Sequence, residues 1–65
     1  MNIGDKVRYT AEFLRSIVDY SMDTASKFAA VTAIVELAPG FIIVETDEKG
    51  GLPAAINIKN LEVFK

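Results

Sequence analysis

Asp19 and Asp23, four residues apart with Tyr20 between them, are the first side chains in this sequence whose types and spacing suggest chemistry. Two carboxylates and a phenol in one polar stretch suit a cation or a basic peptide. Hard cations, however, collect more oxygen ligands than two, and aspartates in such a stretch also cap their own backbone, which is the preferred reading of the pair. Asp47-Glu48, followed by Lys49-Gly50-Gly51, is a second acidic step with the composition of a solvated hairpin tip. Its two glycines neither follow a buried parallel strand nor open a helix, so they lack the setting of a phosphate loop. Lys6, Arg8, Arg15, Lys27 and Lys59 are the cations a nucleic acid would need, and Lys6 and Arg8 share one side of an extended segment.

The residues that are missing restrict the chemistry further. The chain has no histidine and no cysteine, which removes imidazole bases, thiolate nucleophiles, disulfides and zinc sites of the usual kind. A working carboxylate pair needs a concave, partly apolar site, and a domain this small seldom encloses one. The expectation is a non-enzymatic protein with no catalytic residue, no cofactor, no metal and no small-molecule substrate.

The elements that would position these groups are short. At 65 residues there is room for one domain spanning 1–65, because a core of this size supplies only about 3–5 kcal/mol of net stability. Apolar residues make up 51% of the chain and charged residues 25%, a composition that folds. A net charge of −2 and a pI near 4.9 disfavour non-specific nucleic-acid binding. The longest uninterrupted apolar run, Phe41 to Val44, is far too short to cross a bilayer, and Asn2, Gly4 and Asp5 do not form a leader. A cytoplasmic location is expected, with no membrane association.

Alternation in Lys6-Val7-Arg8-Tyr9-Thr10 predicts a first strand over 5–10. Phe13, Leu14, Ile17 and Val18 fall on one side of a short helix over 11–17, with Thr10 as its N-cap and Glu12 in its first turn. The small polar residues of 19–26 predict a long exposed loop. Residues 28–37 and 41–46 read as a hairpin joined by Ala38-Pro39-Gly40. A fourth strand over 53–58, a single tight helical turn at 57–60 and a short strand from Leu61 to Phe64 complete the chain.

Five short strands with a long first connection, two hairpin turns and one helical turn before the last strand resemble an SH3-like barrel. Gly4 to Val7 is similar to the entry of the first strand in that superfamily. Ala30 to Ile34, Phe41 to Val44 and Asp47 resemble the second and third strands of KOW-type modules, and Asn60 to Val63 their closing strand. The chain is also similar to small barrel proteins of bacterial and phage genomes. The resemblance implies an all-β, five-stranded SH3-like barrel with an irregular segment at about 11–26. It carries over no activity. Ala29 and Ala30 stand where KOW modules that touch RNA usually have a glycine among basic residues, and the chain lacks the tryptophan of peptide-binding SH3 grooves.

A surplus of apolar residues on the predicted hairpin bears most directly on function. If Val31, Ala33 and Val35 face inward, Ala30 and Ile34 face outward, and one of the pairs Ile42/Val44 and Phe41/Ile43 must do the same. The helix at 11–18 would cover that second face, or part of it would stay open as a contact surface. The leading expectation is therefore a protein-binding module, its partner another protein or its own copy. Its docking residues would be Ile34, Phe41 and Ile43 with Asp19, Tyr20 and Asp23 of the neighbouring loop. A KOW-like nucleic-acid or ribonucleoprotein accessory domain is the alternative from another class, followed by a modulator in a phage or plasmid system.

Overall fold

Residues 1–17 and 22–64 are described by a computed structural model. Strand β1, Lys6–Tyr9, alternates as expected, with Val7 buried and Lys6 and Arg8 exposed. Before it, Gly4 at φ 95° makes a turn that Asp5 closes by accepting the Asn2 amide at 2.7 Å. Thr10 caps helix α1, Ala11–Ser16, by accepting the Phe13 amide on its hydroxyl at 3.0 Å. The helix buries no residue. Within the expected 19–26 loop the chain instead forms a one-turn helix, α2, Met22–Ala25. The Ser26 hydroxyl donates to the Asp23 carbonyl and the Lys27 amide to the Thr24 carbonyl, so local hydrogen bonding produced a turn of helix rather than open coil.

Strands β2, Ala29–Ala38, and β3, Phe41–Thr46, form the hairpin. Its loop is Pro39-Gly40, with Gly40 at φ 80°, the sequence and backbone of a type II turn. Strand β4, Ala55–Asn57, passes through a 3-10 turn, Ile58–Asn60, into β5, Leu61–Val63. The Asn57 side chain caps that turn by accepting the Lys59 amide, and the Thr10 amide ties its far end to β1 through the Asn60 carbonyl.

The five strands pair antiparallel with their neighbours, in the order β4-β3-β2-β1-β5. The expected all-β, five-stranded architecture is present, but the barrel is not closed. Strands β4 and β5 are three residues each, and the 3-10 turn carries the chain from one edge of the sheet to the other, so they form its two outer edges instead of pairing. The sheet curls until its inner faces meet around Val7, Ala29, Val31, Val44, Leu52, Ile56 and Leu61. Each strand contributes to that core. Leu52, in the connection before β4, is 1% exposed, an anchor that strand periodicity did not reveal.

Two irregularities in the hairpin decide which side chains share a face. The register runs Val31↔Thr46, then Ala33↔Glu45, and later Glu36↔Ile42, then Ala38↔Phe41. Thr32 and Leu37 are therefore extra residues, and each β-bulge shifts the alternation by one. Val31 and Thr46 point into the core, but past Thr32 it is Ile34, opposite Val44, that lies on the inner face. Val31, Ala33 and Val35 do not share a face, contrary to the alternation read from sequence.

Candidate docking surface

The distal half of the hairpin extends beyond the rest of the sheet. Strand β1 pairs only with Ala29 and Ala30, and the Gly4 and Asp5 backbones continue that edge as far as Val31. On the other side β4 covers only Ile43 to Glu45. Among the described residues no strand lies beside 36–42, which form a two-stranded ribbon.

This part of the hairpin carries apolar side chains on both faces, with Glu36 as its one charge. Cross-strand partners point the same way, so Val35, Ile43 and Phe41 line the outer face and Ile34, Glu36 and Ile42 the inner one. Leu37 is 65% exposed, Phe41 46%, Ile34 38% and Val35 37%. Ile34 belongs to the inner face, so Val35, Leu37 and Phe41 make up the exposed apolar group of the outer one, and an apolar group of this kind often marks a contact surface. Helix α1 does not cover it. Its described ring contact is Phe13 stacked on Tyr9 at 4.6 Å.

Of the residues singled out in the sequence, Phe41 and Ile43 come together on the outer face. Ile34 lies on the opposite face because the Thr32 bulge reverses its orientation, and Val35 takes its place. Asp23 is exposed on α2, a different element, while Asp19 and Tyr20 lie outside the described residues. Leu37 was missed, although an apolar residue beside a Pro-Gly turn, where polar residues are usual, was a visible signal.

The basic residues are dispersed. Lys6 and Arg8 share the outer face of β1, but the Arg8 guanidinium donates to the Glu62 carboxylate at 3.2 Å and sits 5.0 Å from the centre of the Phe64 ring. Phe28 meets Phe64 edge-on at 6.4 Å. Arg15 ends α1 and Lys59 lies in the 3-10 turn, so the cations are spread over several elements.

The acidic turn is part of the framework. Asp47 accepts the Ala30 amide at 3.2 Å and the Lys49 amide at 3.1 Å on one carboxylate oxygen, and its own amide donates to the Ala30 carbonyl. The backbone bond from Lys49, with smaller help from Ala30 and the Lys49 charge, holds its carboxyl below the ordinary 3.8. Among the described residues no three His, Cys, Asp or Glu side chains are grouped to hold a metal ion, and no helix is long and apolar enough to cross a membrane. The chain matches no protein-family model, no curated protein and no solved structure.

Proposed function

We propose that this chain is a non-enzymatic, cytoplasmic protein-binding module of SH3-like build that uses the distal β2–β3 hairpin as its docking element. The observation that carries the reading is the projecting ribbon with Leu37 and Phe41 at its tip, exposed on an element that flanking strands leave free. A folded domain gains little in stability from the exposed parts of leucine and phenylalanine there, because apolar surface stabilises only when something covers it. The SH3-like assignment is supported by the element order, with helical turns in the first connection and a 3-10 turn before the last strand.

A photo-activatable residue in place of Leu37 or Phe41, used in cells, tests this. The expected result is a discrete protein adduct at both positions and none at Glu62, on the far edge of the sheet. Equal labelling at all three, or none, would count against the hairpin. The nucleic-acid alternative draws on Lys6, Arg8 and the exposed Phe28 ring on the β1 face, since aromatic rings beside cations can stack bases. It requires a salt-dependent RNA or DNA mobility shift that Lys6→Glu and Arg8→Glu abolish.

A further inference from the structure

We infer that the hairpin's partner is a second copy of this chain, added antiparallel along the free edge of β2 with Val35 on a two-fold axis. The inference rests on the docking role proposed above and assigns its occupant.

Hydrogen-bonding direction alternates along a strand, which identifies the groups left at this edge. The Thr46 amide donates to the Ala54 carbonyl on the β4 side, so Ile43 and Glu45 turn their amides and carbonyls toward β2. Val35, opposite Ile43, therefore turns its own toward β3. Ile34 and Glu36 are left with theirs pointing off the outer edge, where no strand pairs with them among the described residues. Below them the Val31 amide and carbonyl are engaged by Asp5 and Gly4, so an incoming strand can extend only toward the hairpin tip.

A second β2 satisfies these conditions over 33–37, provided that beyond Leu37 the Pro39-Gly40 turn of each copy bends away from the Gly4 and Asp5 backbones that hold Val31 of the other. With Val35 opposite its symmetry mate, Ile34 faces Glu36 of the other copy, and each such pair can exchange two backbone hydrogen bonds, giving four in all. On the outer face Val35 meets Val35, and Ala33, a small residue, meets Leu37, a large one. Glu36 is the single charge between Phe28 and Val44, and this register places it opposite an isoleucine rather than another glutamate. Natural edge strands of this length usually carry lysine, proline or an inward charge to prevent such pairing; 33–38 has no lysine or proline, and its one inner-face charge, Glu36, is exposed and meets Ile34 rather than a second Glu36 in this register. A two-stranded ribbon is marginal alone, whereas the four-stranded sheet formed by two copies passes the three strands needed for independent stability. Pairing over five residues buries less than the about 1,200 Å² of a standard stable interface, which places the dimer in the weak, concentration-dependent class.

Sedimentation equilibrium from micromolar to millimolar concentration provides the test. The wild-type mass should rise from 7.1 kDa toward twice that value, and the Ile34 and Glu36 amides should exchange more slowly as it does. Val35→Lys and Val35→Glu each put like charges face to face and should weaken association about tenfold or more. An equimolar mixture of the two should recover it, which also shows that both variants fold. A wild type that stays at 7.1 kDa overturns the inference while adducts at Leu37 would still uphold the docking role. Association that Val35→Lys leaves unchanged, or a mixture that stays monomeric, overturns it as well.

Discussion

Asp47 shows what a single side chain contributes to this fold. Its carboxylate receives the Ala30 and Lys49 amides, fastening the end of β3 to the start of β2 and shaping the turn in which Glu48 adopts φ 60°. Because those bonds favour the charged form, the folded-state pKa lies below the unfolded value. The resulting stability is complete above the ordinary 3.8 and is lost as pH falls through the lower folded value. Denaturant titrations should show wild type losing stability in that acidic window, while Asp47→Asn lacks this component of the decline. Gly50 is a second such point. A β-carbon there would lie 2.2 Å from the Phe28 carbonyl oxygen and 2.6 Å from its ring, so Gly50→Ala must displace backbone. We expect about 2 kcal/mol of destabilisation, measured as a lower urea midpoint, in line with overpacking elsewhere.

At the scale of elements, the hairpin combines a tolerant tip with a demanding turn. Leu37 is mostly in water, so Leu37→Asp should change stability by no more than about 0.5 kcal/mol, while the protein adduct trapped at Phe41 disappears. Gly40 holds φ 80°, and Gly40→Ala should cost about 1 kcal/mol for that backbone alone, seen as a lower melting temperature. Much of this level was legible in the sequence. The Thr10 cap, the Pro-Gly turn and the alternation in β1 are local signals, and each expected strand and helical turn fell within a few residues of its place, whereas α2 formed where a loop was expected. The face assignment on β2 was not legible, because nothing in Val31-Thr32-Ala33 announces that Thr32 is skipped by its partner. One extra residue moved Ile34 to the inner face and broke up the expected trio of Ile34, Phe41 and Ile43. Barrel closure was beyond local signals too, since it depends on where two three-residue strands end up relative to each other.

For the whole molecule the margin is narrow. Among the described residues seven buried apolar side chains form the core, and a chain of this length has about 3–5 kcal/mol of net stability to lose. Leu52 is almost fully enclosed although it lies in a connection, so truncating it opens a cavity in the core. Leu52→Ala should cost about 2–5 kcal/mol, enough to populate the unfolded state at room temperature, with loss of the strand circular-dichroism signal as the readout. If the protein dimerises as inferred, this cost should be partly offset at high concentration, because association stabilises only the folded form.

The pairing of Val7 with Val63 also orders events in time. The first strand reaches its outer partner only after nearly the whole chain is present, and contacts of such long sequence separation form late because the intervening loop must close first. The β2–β3 hairpin needs only its own residues and the two of its turn. During folding it can therefore form while β1 still waits for β5, so its free edge is open to another chain before the core exists. At high concentration, pairing between two such edges would then compete with completion of either monomer.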